Sequence, residues 1–474
     1  MASAPAADGD VRTTSDAPRT DSTALHRILA VVITGSVMSV LDMTIVNVAL
    51  RSLSEAFHAP LETIQWTTTA YTLALAAVIP TAAWAMARFG AKRAYLTALV
   101  LFTLGSLLAA CAWDIGSLIA FRAVQGLGGG LLMPVGMAMG MAAADRERLG
   151  RSMALLGLPV LVGPVAGPVL GGWLLDAVSW HWIFLVNLPV GAVALTLAAR
   201  LLRPDAPRTT ATAPKLDVPG LLMLSPGLAL LLFGLARGGE RGDFAEPGAL
   251  TPTLAGAALI ACFVWRSLTI RQPLLDLGLL TDRTFAVGIG ALALFTCGYF
   301  GSMLLGPVYW QQVRGWSATS TGLLGVPVGL AVGMTMQFAA RSVDKVSPRR
   351  LIPAGIAVGA LGMASTGLLI AQQDVPAWRL VCSTVVMGIG SGMVLMPTMT
   401  TASRDLPRER MAAAGTALSI NAQVCASVGT ALISVVLGSA GLTASGFRTA
   451  YLVAAGLLAL AVIPAAGLPG RRTP

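Results

Sequence analysis

The sequence predicts an all-α membrane protein with fourteen transmembrane helices, on three observations. Only 11% of the 474 residues are charged and 55% are hydrophobic, whereas soluble domains carry roughly 25% charged residues. Apolar runs close to the length that crosses the hydrocarbon core, about 20 residues, recur fourteen times between short polar breaks. Most of the 32 lysines and arginines fall in alternate breaks, as the positive-inside rule requires for an even number of spans with both ends in the cytoplasm.

The spans are predicted, in order, at residues 28–50, 64–87, 94–113, 116–141, 151–175, 182–200, 218–236, 249–265, 285–308, 321–340, 351–371, 380–401, 411–437 and 449–467. The few cations in the outer breaks are Arg51, Arg237, Arg241, Arg314, Arg379 and Arg448. The net charge of +10 therefore follows from orientation and from attraction to anionic membrane lipid. It gives no reason to expect a nucleic-acid partner.

An internal repeat divides the chain into two halves. Three glycines and an Arg-Glu-Arg triplet recur at an offset of 262 residues: Gly126, Gly128, Gly130 and residues 146–148 return as Gly388, Gly390, Gly392 and residues 408–410. We expect two six-helix halves, at 27–203 and 271–470, with two extra helices within 204–270. The polar residues 1–26 are expected to form a disordered cytoplasmic tail. Parallel halves that rock about a central site are a transporter architecture.

Asp42 is the single carboxylate that lies within an apolar span. A charged side chain at the centre of a membrane costs several kcal/mol, on the order of 2.5–3.5 by insertion scales, and burial disfavours the charged form. An isolated carboxylate at this depth is therefore a candidate proton carrier. The alternative is an acid held in a structural hydrogen bond.

Arg122 is the single cation that lies within a span rather than at its end. An intramembrane arginine normally faces the protein interior and pairs with an acid or with carbonyl groups, so Arg122 either takes part in proton movement or clamps carbonyl groups structurally. Uncharged polar residues in the spans are candidates for a substrate cavity or for interhelical hydrogen bonds: Asn47, Gln125, Asn187, Gln311 and Asn421. The five cysteines form no CxxC pair and the three histidines lie in the tail or in loops, so neither a metal nor a cofactor is expected.

The fifth span carries a pattern of glycines and prolines, namely Gly163, Pro164, Gly167, Pro168, Gly171 and Gly172. Three of the glycines are four residues apart, so they share one helix face and let a neighbouring backbone approach closely. The prolines remove backbone donors and are expected to bend the helix. Small residues also serve ordinary packing in membrane bundles. However, the corresponding span of the second half lacks the prolines and most of the glycines. Because the pattern occurs in only one half, it favours a specific role over ordinary packing.

Several segments resemble motifs of the major facilitator superfamily. Residues 163–172 resemble its antiporter motif, and residues 41–50 resemble the first-helix motif of its fourteen-helix drug:proton antiporters. Residues 122–129 resemble the fourth-helix motif that is tied to proton transfer, and residues 180–191 and 273–277 match the same group. The resemblance implies a major-facilitator-like fold and a working monomer.

The loop after the second span resembles the superfamily's cytoplasmic gate motif only in part. Four residues match it: Arg88, Gly90, Lys92 and Arg93. Ala87 stands in place of the motif's acid, whereas the corresponding loop of the second half keeps an acid, Asp344. We therefore expect the first-half ion-pair latch to be weak or built elsewhere, and the inward gate to depend more on the half that contains Asp344.

These features together predict an exporter of the bacterial cytoplasmic membrane that exchanges protons for drug-like or antibiotic small molecules. Asp42 is predicted to carry the proton, and the resemblance implies that Arg122 helps to move it by promoting its release. A transporter of another solute, such as a siderophore, a sugar or an amino acid derivative, is the alternative, and the antiporter motif argues against it. A membrane-embedded enzyme would need a metal set or an acid pair, and the sequence shows neither.

Overall fold

The computed structural model describes residues 22–144, 152, 155–205, 215–270, 273–342, 346–372 and 375–469. These residues form helices and the turns between them, without a strand. Helices are the expected solution, because a segment that spans lipid must satisfy its backbone N–H and C=O groups within itself.

Fourteen helical spans follow one another along the described ranges. They are α1 (Ser22–Phe57), α2 (Leu61–Val78, continued as Ala82–Phe89), α3 (Ala91–Ala110), α4 (Ile115–Ala143), α5 (Leu158–Ala177), α6 (Trp182–Leu185, continued as Asn187–Leu201), α7 (Val218–Arg241), α8 (Pro247–Thr269), α9 (Arg283–Ser302, continued as Leu305–Val308), α10 (Ala318–Ser342), α11 (Pro348–Ile370), α12 (Ala377–Ser403), α13 (Met411–Ala440) and α14 (Ala444–Leu460, continued as Val462–Ala465). Among the described residues, 13 helices are long and apolar enough to cross a membrane. The 20-residue α5 completes the predicted fourteen, which confirms the fold class.

Four spans, α2, α6, α9 and α14, contain breaks that the sequence pattern did not predict. A 3-10 turn at Ile79–Thr81 interrupts α2, where Pro80 lacks the N–H that would continue the helix. A turn at Val186 interrupts α6. The ninth span does not end at residue 308, because a π-turn at Tyr309–Val313 extends it. Near the N-terminus, α1 begins at Ser22, which lies inside the predicted tail of residues 1–26.

The two halves pack together at the end of the bundle where α1 begins and α14 ends, which we call the terminal end. Methionines from both halves are buried in one apolar cluster there, including Met137 and Met141 of α4, Met336 of α10 and Met396 and Met399 of α12. Methionine side chains are flexible and fill irregular gaps. These methionines therefore close this end of the bundle, and their flexible side chains can adjust if the helices of the two halves move relative to each other.

The extra helices α7 and α8 form a hairpin beside α2 and α13. Arg266 Nη2 donates to Asp217 Oδ1 at 2.9 Å, which ties the two ends of the hairpin together. Phe233 of α7 contacts Trp66 of α2, with ring centroids 5.5 Å apart. Gly239 of α7 lies against the backbone of Ala431 in α13. The hairpin thus covers the junction of the halves on the side of α2 and α13.

Candidate functional site

Asp42 and Arg122 form a buried ion pair. Arg122 Nη1 donates to Asp42 Oδ2 at 2.6 Å, and neither side chain is exposed. The pair joins the middle of α1 to the part of α4 farther from the terminal end. Each residue stands out in the sequence by its charge, and the structure brings the two together.

Two amides complete the surroundings of the carboxylate. Gln125 Nε2 and Asn187 Nδ2 each donate to Asp42 Oδ1 at 2.8 Å. Gln125 lies three residues after Arg122 on the same face of α4, and its Oε1 accepts from Arg122 Nη1 at 2.7 Å. Asn187 Nδ2 also donates to Ser106 Oγ, 3.0 Å away on α3. The sequence leaves Gln125 and Asn187 as candidates for a substrate cavity or for interhelical hydrogen bonds, and in the structure both make interhelical hydrogen bonds to Asp42 in the interior of the first half.

The arrangement around Asp42 fits an ionised carboxylate. The hydrogen bonds from Arg122, Gln125 and Asn187 all come from N–H groups, and only the ionised form accepts at both oxygens without donating. A buried ion pair is costly unless further hydrogen bonds satisfy its remaining atoms. The two amides do so for Asp42, whereas Arg122 Nη2 has no hydrogen-bond partner among the described residues. Protonation of the carboxylate would remove the negative charge that binds Arg122 and would turn one accepting oxygen into a donor.

Arg122 is also anchored independently of Asp42. Its Nε donates to Thr67 O at 3.3 Å, and its guanidinium carbon lies 4.2 Å from the centroid of the Tyr71 ring and 5.8 Å from that of Phe184. A desolvated cation–π contact contributes about 2 kcal/mol. Arg122 therefore keeps contacts for its charge when Asp42 is neutralised. Its bond to Thr67 O is a contact of the kind that the structural interpretation, a clamp on carbonyl groups, predicts, and a part in proton movement stays a prediction.

The glycine face of α5 lies directly on α1. A Cβ on Gly163 or Gly167 would collide with a side chain of α1, and one on Gly171 would lie 3.3 Å from Ile45 Cγ2. Thr44 is the residue that Gly167 faces, and its Oγ1 donates to Gly163 O at 3.1 Å. A methyl group on Gly172 would have no atom of the described residues within 4 Å, so Gly172 plays no part in this contact.

Pro164 and Pro168 lie within the helical range of α5. They are surrounded in sequence by the glycines of the contact face, and the helix runs through both. The close approach that the glycine spacing predicts is present, because the α1 side chains occupy the positions that larger residues of α5 would need.

A cavity of about 640 Å³ lies between α1 and the second half of the chain. Its wall is formed by residues of α1, α9, α10, α11, α12 and α14, in the halves of these helices away from the terminal end. Asn47 and Gln311, two of the predicted cavity residues, line it. Asn421 lies on α13 outside the lining, where its Oδ1 accepts from Cys425 Sγ at 3.6 Å.

Helix α1 presents Asp42 and the cavity on different faces. Successive helix residues turn by about 100°, as 3.6 residues make one turn. Thr44, Asn47 and Val48 line the cavity and project from the side of α1 opposite to Asp42, which faces α4 and α6. Thr44 is the one of these that also contacts the glycine face of α5. A movement of α1 would therefore change the ion pair, the contact with the glycine face of α5 and the shape of the cavity.

Asp205 supplies an acid at the first-half gate segment, a role that the sequence pattern assigned to no residue. Its Oδ1 and Oδ2 accept from the backbone N–H groups of Lys92 and Arg93, each at 3.1 Å, at the start of α3. In return, Lys92 Nζ donates to Leu202 O at 2.9 Å at the end of α6. Gly90 has a φ of +95°, and a Cβ there would collide with the Asp205 carboxyl group. Asp205 thus caps a helix whose own N-cap residue has no side chain.

The remaining gate residues are placed as follows. Arg88 lies in the last turn of α2, two residues before Gly90. Asp344, on which the expected asymmetry of the gate depends, lies outside the described residues, so that expectation stays a prediction.

Replacing Asp205 with alanine is expected to lower the free energy of unfolding by about 1 kcal/mol, since loss of an N-cap acceptor costs about 0.5–2 kcal/mol. Asp205→Asn keeps one acceptor oxygen but places an NH2 donor opposite the other backbone N–H group, so it should retain only part of that stability. Thermal unfolding of the purified protein in detergent measures both variants. A midpoint in Asp205→Ala equal to that of the wild type would show that the contacts to Lys92 and Arg93 do not stabilise α3.

Comparison with known proteins identifies the family. Residues 32–430 match the family model described as Major Facilitator Superfamily. A Mycobacterium tuberculosis protein named Multidrug resistance protein B homolog is 43% identical over 414 residues, which are 87% of this chain and 76% of that protein. Among solved structures, the proton:xylose symporter XylE bound to 6-bromo-6-deoxy-D-glucose superposes with a TM-score of 0.65 at 16% identity, over 93% of this chain and 95% of XylE.

The human organic anion transporter MFSD10 superposes with a TM-score of 0.63 at 16% identity, over 93% of this chain and 99% of that structure. These structural likenesses concern the fold alone. The family model and the relatives, by contrast, match the sequence over most of the chain. Together with the apolar helices of the bundle, these sequence matches show that the chain belongs to the major facilitator superfamily of membrane transporters.

Proposed function

We propose that the protein exports drug-like or antibiotic small molecules across the bacterial cytoplasmic membrane in exchange for protons. The observation that carries this proposal is the fully buried pair of Asp42 and Arg122, because an ionisable pair at membrane depth is expensive and typically marks a proton or ion pathway. The relative named Multidrug resistance protein B homolog supports drug-like molecules as the substrate class.

The arrangement fits an outward-facing conformation when both termini are placed in the cytoplasm. In that orientation the cavity lies in the outer half of the bundle and the methionine cluster, with Met336 and Met396 at its centre, closes the cytoplasmic side. Export then requires this cluster to part and the outer half to close, as in rocking of two halves about a central site.

Coupling would act through α1 rather than by direct competition, since Asp42 and the cavity lie on opposite faces of that helix. A proton on Asp42 removes the charge that holds Arg122 Nη1, and the carboxyl group then becomes a hydrogen-bond donor. The resulting shift of α1 reaches the cavity at Thr44, which also bonds to Gly163 O. Ligand in the cavity and proton on Asp42 can thus each favour one arrangement of the same helix.

Asp42 is the one carboxylate within the spans predicted from the sequence, which favours one proton per cycle. A membrane potential supplies about 2.3 kcal/mol per charge per 100 mV, and a pH gradient supplies about 1.4 kcal/mol per unit. Each 1.4 kcal/mol corresponds to a tenfold concentration ratio. One proton is therefore enough to concentrate a neutral substrate on the outer side substantially.

Asp42→Asn tests the proposal, because it removes the titrating group and retains its size. Inverted membrane vesicles that are acidified inside would be followed with a quenched pH dye while a panel of neutral and monocationic antibiotics is added. We expect substrate-dependent proton efflux in the wild type and its loss, by at least about tenfold, in Asp42→Asn. Such a loss corresponds to about 1.4 kcal/mol or more.

Asp114→Asn is a matched control. Asp114 is exposed and caps the start of α4 by accepting from Ser117 N at 2.6 Å, and asparagine is an equally good N-cap. This variant should behave as the wild type does. Proton efflux that survives in Asp42→Asn would contradict the assignment of the carrier, and no response to any compound in the wild type would favour another solute.

A further inference from the structure

We propose that the cavity between α1 and the second half binds an uncharged, ring-containing molecule with hydroxyl and carbonyl groups. This rests on the proposed function only in taking the cavity as the substrate site. Its volume of about 640 Å³ lies within the range of about 300–1,000 Å³ that is typical of small-molecule sites. The chemistry of its wall narrows the class of molecule.

The cavity wall carries no charge among the described residues: it contains neither an acid nor a base. Asp42 points away from it and is neutralised by Arg122. Arg314, which follows the cavity residues on α9, lies 5.8 Å from the ring centroid of Tyr309 and 5.9 Å from that of Trp310. A ligand cation would lose its hydration without a carboxylate to replace it, and a ligand anion would find no cation in the wall. Both cost free energy.

Two aromatic residues of the wall, Tyr299 and Trp310, each pack against another aromatic ring. Tyr299 stacks on Phe295 with centroids 5.5 Å apart. Trp310, in the π-turn segment of α9, lies with its ring centroid 4.9 Å from that of Trp316. Supported rings of this kind present fixed surfaces, and aromatic pairs in offset or edge-to-face contact add about 0.5–1.5 kcal/mol beyond the burial of their area. They favour a ligand with flat rings.

The polar groups of the wall are suited to a ligand with both donors and acceptors. The hydroxyl groups of Ser302 and Thr384 donate to carbonyl groups of their own helices, so their oxygens remain free to accept from a ligand. Thr321 differs, because its Oγ1 is buried and has no hydrogen-bond partner among the described residues. An unsatisfied buried polar group costs about 1–3 kcal/mol. If the Thr321 side chain turns its hydroxyl group toward the cavity, a ligand carbonyl group that accepts from it removes this cost.

The test measures binding directly, so that it does not depend on proton coupling. Three compounds with one ring system serve as probes: a hydroxyanthraquinone, the same ring with a trimethylammonium group and the same ring with a carboxylate. Isothermal titration of the purified protein in detergent, with empty micelles as the blank, gives the affinities. The neutral compound should bind at least about tenfold more tightly than either ion, which corresponds to about 1.4 kcal/mol.

Gln311→Glu places a carboxylate in the cavity wall without a change in size. It should raise the affinity for the cationic compound by about tenfold relative to the neutral one. Gln312→Glu is the matched control, because Gln312 is exposed on the same π-turn and is absent from the described lining. This control should leave the selectivity of the wild type unchanged.

Thr321→Val provides a second, isosteric variant. It should weaken binding of the hydroxyanthraquinone by several-fold and leave an anthracene analogue without carbonyl groups unaffected. Equal affinity of the wild type for the neutral and charged compounds would overturn the proposal, as would equal effects of Gln311→Glu and Gln312→Glu on cation binding. If binding is selective but proton efflux is absent, the site assignment stands and the proposed antiport fails.

Discussion

Replacing Arg122 with methionine is expected to destabilise the folded protein by about 3–5 kcal/mol and to abolish substrate-driven proton movement. Removal of one partner of a buried ion pair leaves the other charge uncompensated, which is the reason for the large cost. Asp42 would keep only the two amide donors, from Gln125 and Asn187. The loss of stability would be measured as a fall in the thermal unfolding midpoint in detergent.

The double variant with Arg122→Met and Asp42→Asn separates stability from transport. It removes both charges, so most of the lost stability should return, as uncharged replacements of a buried pair are often neutral or stabilising. Proton movement should stay absent because no titrating group remains. A double variant as unstable as Arg122→Met alone would show that the contacts of Arg122 with Thr67 and Tyr71, rather than the charge of Asp42, dominate its contribution.

The charges within the membrane were readable from the sequence because their cost there makes them rare. Asp42 and Arg122 each stood alone in an apolar span, and the structure joins them at 2.6 Å. Their amide partners were not readable in the same way. Gln125 and Asn187 belong to a larger set of uncharged polar residues in the spans, and only the packing of α1, α4 and α6 decides which of these face Asp42.

The sequence missed several residues of the site for two different physical reasons. Asp205 lies 113 positions from Lys92, in a loop beyond the end of α6, and local patterns do not report contacts at that separation. Tyr309 and Trp310 in the cavity wall belong to the π-turn extension of α9. Hydropathy placed the end of that span too early because the turn is polar. A polar stretch can be either the end of a membrane span or part of a cavity wall inside the membrane, and hydropathy does not distinguish the two.

Gly167→Ala is expected to reduce transport by at least about tenfold, whereas Gly172→Ala should leave it near the wild-type level. A Cβ on Gly167 would collide with the Thr44 side chain and would lie 3.3 Å from the carbonyl carbon of Thr44, so α1 and α5 would have to separate. Overpacking of this kind typically costs about 1–3 kcal/mol. Both variants would be assayed for proton efflux in the inverted vesicles and for thermal stability in detergent.

The comparison isolates the contact between the helices. Both glycines lie on α5 and both changes add one methyl group, so any effect through helix propensity, which favours alanine by about 1 kcal/mol, is shared. They differ in what that methyl group meets: Thr44 in one case and open space in the other. Equal effects would therefore rule out a specific role for the glycine face. A selective loss in Gly167→Ala would place coupling where α5 contacts α1, since Thr44 lies two residues from Asp42 and borders the cavity itself.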